Sequence, residues 1–141
     1  MFNINELKKS DFFEKKVLKA WEQLFDEWDL DNRIYIIESW SLWVQKYLNA
    51  NKANKQTLAT LSSGDIFGEG SLYENEHKQT SIVAKNDTEL LYIETGLTLE
   101  NFIEASPVIA AEFLKEIIKL NHSRLNKSNF LITAMYEINN K

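Results

Sequence analysis

The chain has no cysteine, one proline and four glycines among its 141 residues. Average usage of about 7% glycine and 5% proline would give roughly 10 and 7. So either the fold has few tight turns, or other residues fill its turn positions. Without cysteine there is no disulfide, no thiolate metal site and no cysteine nucleophile. That suits a reducing compartment, and a cytoplasmic location is the expectation. His77 and His122 are the only histidines, so a zinc site would need several carboxylates; no metal and no resident cofactor are expected. No apolar run approaches the ~20 residues of a membrane span. Residues 1–16 carry charges where a secretory signal needs its apolar segment. Basic residues are outnumbered, 16 Lys+Arg to 21 Asp+Glu, for a net charge of −5. A nucleic-acid-binding face needs clustered positive charge to displace counterions, so neither nucleic acid nor membrane is expected as a partner.

What is present points to one ordinary domain, with 44% hydrophobic and 26% charged residues. Lysine outnumbers arginine 14 to 2 and asparagine occurs 14 times, choices that favour A/T-rich codons. Residues 1–14 read as a short amphipathic helix with Ile4, Leu7, Phe12 and Phe13 as its apolar face. Residues 15–94 break into short apolar runs: Arg33–Glu38, Ser41–Leu48, Gln56–Leu61, Thr80–Ala84 and Glu89–Ile93. Leu42 and Val44 alternate with Trp43 and Gln45, and Leu58 with Thr57 and Ala59, the period of half-buried strands. Polar turn chemistry separates them, as in Asp29–Asn32, Asn49–Lys55, Ser62–Asp65 and Lys85–Asp87. Strands at this spacing predict a barrel, roll or sandwich.

After Gly96 the period changes. Thr98 is a candidate N-cap for a short helix burying Leu99, Phe102 and Ile103. Ser106-Pro107 is a second start, with serine at the cap and proline at the first helical position. Residues 108–138 contain no glycine or proline, and Ile109, Phe113, Leu114, Ile117, Ile118, Leu120 and Leu125 follow spacings of 3 and 4. This predicts a long helix with a possible break at Asn126–Asn129 and a stripe continuing through Phe130, Leu131, Ala134, Met135 and Ile138. One face would cover its own domain and the remainder would meet another chain.

The stretch richest in chemistry is Gly64-Asp-Ile-Phe-Gly-Glu-Gly-Ser-Leu72. Gly68 and Gly70 flank Glu69, so backbone can approach a ligand and expose its N–H groups. A helix start there favours phosphate. Glu69 would accept from a sugar hydroxyl, and Lys78, ten residues after Gly68, would neutralise the phosphate. Gly-Glu-Gly is equally what a plain turn between strands contains. The acidic group Asp26, Glu27 and Asp29 lacks the spacing of an EF-hand loop and reads as a solvated turn. There is no Ser-His-Asp set and no phosphate-binding P-loop, so no enzyme is expected.

Gly64-Asp-Ile-Phe-Gly-Glu69, then Lys78–Ala84, then Asp87–Ile93 resembles the cyclic nucleotide-binding domain. This β-roll is shared by catabolite activator proteins, regulatory subunits of cyclic-nucleotide-dependent kinases and gated channels. Leu24–Glu27, Asp29 and Ile34–Ser39 are similar to its first strands, and Asn121–Asn129 to the long helix of the catabolite activators. The resemblance spans about residues 5–138 and implies a mainly β fold with helices. That fold is a double-stranded β-helix, or jelly-roll-like β-roll, with a short N-terminal helix (1–14), a roll (15–94) and C-terminal helices (98–138) in one domain (1–141). It implies that Gly68, Glu69, Gly70 and Ser71 form a phosphate-binding cassette, with Glu69 on the ribose 2′-hydroxyl and the N–H groups of Gly70 and Ser71 on the cyclic phosphate. Lys78 stands where the family has an arginine, and Gln79 where a Ser, Thr or Ala often helps. Ser128 and Asn129 lie where the catabolite activators contact adenine across a dimer. Lys78 keeps the charge but lacks the planar fork that grips phosphate bidentately. The implied function is a non-enzymatic sensor of cAMP or cGMP, homodimeric through its long helix. The alternatives are a nucleotide-free assembly module, or the sensor fragment of a transcription regulator, since no helix-turn-helix follows the long helix.

The family pattern also places the missing glycines. Trp21, Trp28 and Trp40 stand where it has glycine in turns, and tryptophan meets a steric cost at positive φ that glycine avoids. Either this chain uses tryptophan there, as altered turns or an aromatic surface, or the codons are UGA, read as tryptophan in some genetic codes and glycine in others. Genuine tryptophans predict distorted turns.

Overall fold

The computed structural model describes residues 2–48, 54–72 and 77–139, except the side chains of Ser71, Ser128, Phe130, Leu131 and Asn139. Eight strands form two antiparallel sheets: β1 (Glu14–Leu18), β2 (Gln23–Phe25), β3 (Arg33–Ser39), β4 (Ser41–Tyr47), β5 (Lys55–Ser62), β6 (Ile66–Phe67), β7 (Ser81–Ala84) and β8 (Thr88–Glu94). One sheet runs β1-β8-β3-β6, the other β2-β7-β4-β5. Helices α1 (Ile4–Lys8), α2 (Leu97–Ala105) and α3 (Pro107–Asn139) complete the β-roll.

The apolar runs follow from which faces are covered. In β3, Ile34 and Ile36 pack toward the helices with Ile66, Leu91, Ile93, Phe102, Phe113 and Ile117. Tyr35 and Ile37 face the roll interior with Leu18, Phe25, Leu42, Phe67, Ile82 and Leu90. A strand covered on both faces needs an unbroken apolar run. β4 is less covered: Leu42 is buried and Val44 packs beside it in the roll interior, but Lys46, next in the same alternation, is exposed past an irregularity in register between Val44 and Gln45. β5 lies at the sheet edge and is largely exposed, Leu58 included.

The expected helix over 1–14 is one short turn of residues 4–8. Asn3 caps it by accepting from the Asn5 N–H at 2.9 Å. Ser10 ends it, its hydroxyl accepting from the Phe12 N–H at 3.2 Å. Phe13 nonetheless reaches the same core, edge-on to Phe102 at 5.1 Å and to Phe113 at 5.5 Å. Thr98 is not a cap, because α2 begins at Leu97 after Gly96. Pro107 opens α3 as expected, and the Ser106 carbonyl accepts from the Ala110 N–H at 2.9 Å. α3 runs through Asn126–Asn129 without a break.

The tryptophan turns are not rebuilt. Trp21, Trp28 and Trp40 each hold φ 71°, and they are the only non-glycine residues at positive φ among the described residues. All three residues are largely exposed, although the Trp21 ring lies 4.8 Å from that of Trp43 and the Trp28 ring 5.8 Å from that of His77. Left-handed backbone costs an L-residue roughly 1–2 kcal/mol, so the turns keep a glycine-like path and tryptophan bears the strain.

Candidate functional site

β6 brings its two side chains to opposite faces, Ile66 under the helices and Phe67 into the roll. The chain then turns at Gly68, where only glycine fits. Its φ is +82°, and a Cβ would lie 2.5 Å from the Arg33 carbonyl oxygen. A 3-10 turn, Glu69–Leu72, follows. A Cβ at Gly70 would meet nothing within 4 Å, so this backbone is open to an approaching group.

Glu69 is 8% exposed. A carboxylate removed from water needs compensating charge or hydrogen bonds, and α3 supplies them. Arg124 Nη1 makes a close ion pair with Glu69 Oε1. Arg124 Nη2 donates to the Ile66 carbonyl at 3.1 Å. Glu69 Oε2 accepts no hydrogen bond among the described residues.

Lys78 is half-buried, with Nζ 5.0 Å from the centroid of the Phe25 ring. Burial pushes its pKa below the ordinary lysine value; the Asp31 and Glu69 carboxylates act in the opposite sense. Its backbone is fixed from both sides. The Lys78 N–H donates to the Asp29 carbonyl at 2.8 Å, and the Lys78 carbonyl accepts from the Trp28 N–H at 2.7 Å. Asp31 is itself held, accepting from the Arg33 N–H at 2.9 Å and the Tyr35 hydroxyl at 2.7 Å. Burial, reinforced by Asp31, pushes the Tyr35 phenol pKa upward.

Of the residues singled out from sequence, Gly68, Glu69 and Gly70 therefore lie on one turn, and Lys78 acts electrostatically on Glu69. Gln79 is exposed and contributes only its carbonyl, which accepts from Lys46 Nζ at 3.0 Å. Asn129 is exposed on α3, beyond the part packed on the roll. The side chains of Ser71 and Ser128 fall outside the described residues. The acidic group is structural: Asp26 accepts from the Tyr47 hydroxyl at 2.8 Å and from Ser81, and Glu27 from the Tyr47 N–H at 2.5 Å. Two residues escaped the sequence reading, Arg124 and Asp31. Arg124 had one available signal. It lies seven residues after the core residue Ile117, two helical turns along the same face.

An open glycine turn, a buried acceptor and a half-buried cation thus lie in one region of the roll. The cyclic nucleotide-binding domain model matches residues 15–105, and the chain belongs to that family. The cyclic AMP receptor protein of Thermus thermophilus is 31% identical over 80 residues, covering 57% of this chain and 36% of the relative. The chain thus spans about a third of that relative's length. A transcriptional regulator from Thermotoga maritima superposes with a TM-score of 0.76 at 15% identity, covering 94% of this chain and 99% of that one. The c-di-GMP responsive global regulator of Xanthomonas campestris superposes at 0.68 with 18% identity, covering 80% and 54%.

An anion on Lys78 favours its protonated form, whereas burial has lowered its pKa. A cyclic nucleotide whose phosphate meets Lys78 would therefore bind less tightly as pH rises through that lowered value, beginning below 10.5. Lys78→Arg stays charged across the range and will flatten the alkaline limb. Titrations from about pH 7 to 10 check this.

Proposed function

We propose that this domain is a non-enzymatic sensor whose ligand is a cyclic mononucleotide. One observation carries the reading: Glu69 is buried on an open glycine turn, its Oε1 is held by Arg124 while its Oε2 accepts no hydrogen bond among the described residues, and Lys78 stands within electrostatic range. The phosphate meets the Gly70 and Ser71 backbone N–H groups and the Lys78 ammonium, and the ribose meets Glu69. Lysine binds phosphate as a point charge rather than a fork, so affinity is modest. Asn129, and Ser128 beside it, take part in base recognition only if a second chain brings the helix end over the pocket. The cAMP-receptor relative supports a mononucleotide ligand, and the c-di-GMP responsive neighbour supplies the competing candidate.

The long helix is the output element. Ile118, Leu125 and Ile132 recur every seven residues and are exposed, as is Met135. From Leu125 onward, every described side chain except Ala134 is exposed. A seven-residue apolar repeat on an uncovered helix is the pattern of a two-stranded coiled coil, so the chain pairs through α3. Ile117 is unsuited to probing this seam, because it is 1% exposed in the domain's own core.

Calorimetry with cAMP, cGMP and c-di-GMP tests the ligand. A cyclic mononucleotide will give a binding isotherm that Glu69→Ala weakens roughly 10- to 100-fold, the range for a lost hydrogen bond to a charged group. No heat from cAMP or cGMP at millimolar ligand overturns the reading in favour of an assembly module; binding of c-di-GMP alone replaces the ligand. Sedimentation of the wild type and Leu125→Asp tests the seam. The wild type will run as a dimer at tens of micromolar and the variant as a folded monomer.

A further inference from the structure

Three backbone positions ask for a residue that the chain does not have there. Trp21, Trp28 and Trp40 are the only non-glycine residues at positive φ among the described residues, each at 71°; Gly68, Gly96 and Gly64 hold 82°, 88° and 90°. Two of the three tryptophans sit in closed four-residue turns. The Glu22 N–H donates to the Lys19 carbonyl at 2.9 Å, and the Asp29 N–H to the Asp26 carbonyl at 3.2 Å. Each tryptophan is thus the third residue of its turn, and the residue before it, Ala20 or Glu27, is not at positive φ. That is the pattern of a type II turn, whose third position favours glycine. Trp40 is the single residue between β3 and β4.

The two closed turns are pinned in the same way. The Trp21 N–H donates to the Ala84 carbonyl at 2.7 Å, and the Glu22 carbonyl accepts back from the Ala84 N–H at 2.9 Å. The Trp28 N–H donates to the Lys78 carbonyl at 2.7 Å, and the Asp29 carbonyl accepts back from the Lys78 N–H at 2.8 Å. Moving either tryptophan out of the left-handed region breaks a reciprocal pair of backbone hydrogen bonds, so the strain stays. Burial does not offset it, because the three residues are 72%, 67% and 66% exposed. The fourth tryptophan, Trp43, lies within strand β4, paired with Thr60 and Val83, where an aromatic residue is favoured. Bulky side chains rarely adopt positive φ, and chance does not confine the exceptions to one residue type. One codon read in two ways does. The A/T-rich codon choice implied by 14 lysines against 2 arginines fits UGA, and three more glycines beside the four present would narrow the shortage. We infer that the gene's own cell inserts glycine at 21, 28 and 40, from UGA codons, and tryptophan at 43, from UGG.

Peptide mass spectrometry of protein from that cell, with the gene sequence, tests the inference. Glycine at all three positions with tryptophan at 43 is the expected result. Tryptophan at any of the three, or UGG in its codon, overturns the inference there. Thermal unfolding of the tryptophan-bearing chain gives a second measure. Replacing all three tryptophans by glycine relieves the left-handed strain three times, against which each glycine adds entropy to the unfolded chain. For a domain of this length the net gain is roughly 3 °C per turn, so Tm will rise by about 10 °C. Alanine at the same three positions removes the rings but keeps a Cβ at positive φ, and Tm will rise by less than about half as much. Trp43→Gly, in a strand interior, will lower Tm. An unchanged or lower Tm for the glycine variant, or an equal rise for the alanine variant, overturns glycine as the residue these turns are built for.

Discussion

The arrangement turns on one buried carboxylate. Glu69 sits at the junction of the roll and the long helix, 8% exposed. Removing such a charge from water costs several kcal/mol unless it is paired. The pairing group is on α3, whose place is set elsewhere, by Phe113 packed against Phe13 and Phe102. The aromatic cluster positions the helix, the helix positions Arg124, and Arg124 makes the burial of Glu69 tolerable. The short α1 and its following turn matter for the same reason: they deliver Phe13, and through Phe2, stacked 6.2 Å from Phe113, they close the cluster.

The fold was legible wherever burial leaves a periodic trace. β3 announced itself as a continuous run because both its faces are covered; the alternation of Leu42 and Val44 in β4 marked the strand but does not carry on to Lys46, which is exposed. α3 was legible from spacings of 3 and 4 sustained over nine turns. Short elements leave no such trace. β6 has two residues, too few for a period, and residues 9–13 continue the apolar face of α1 without continuing its helix. The glycine turn was legible because its backbone demands are written in residue types, as the 2.5 Å approach at Gly68 illustrates. Arg124 was not, because its partner lies 55 residues away. A charged residue on a helix carries no mark of which distant group it will meet.

The cation and the tryptophan turns belong to one mechanical unit. Lys78 is held by hydrogen bonds from Trp28 and to Asp29, and Trp28 reaches that geometry only at positive φ. His77, beside Lys78, joins the same unit, its Nδ1 lying 2.8 Å from the Trp28 carbonyl oxygen and its ring 5.8 Å from the indole. A glycine at 28 gives the same backbone path without the strain. It also removes the ring that His77 packs against, so the residue at 28 bears on how firmly Lys78 is held.

A ligand moves a helix only by contacting its two positions differently. Here the differential contact has a definite place. Glu69 meets Arg124 with one oxygen, and under the proposed reading the other would meet the ligand, so anything that rotates the carboxylate would act on both. Beyond Arg124 every described side chain except Ala134 is exposed, so under the proposed reading the placement of this half of α3 would depend on the Arg124 contact and on a second chain along Ile118, Leu125 and Ile132. These two determinants act on one continuous helix. Under the proposed sensor reading, a ligand that tightens or loosens the Glu69 carboxylate would therefore change the angle at which two such helices pair, without any further moving part.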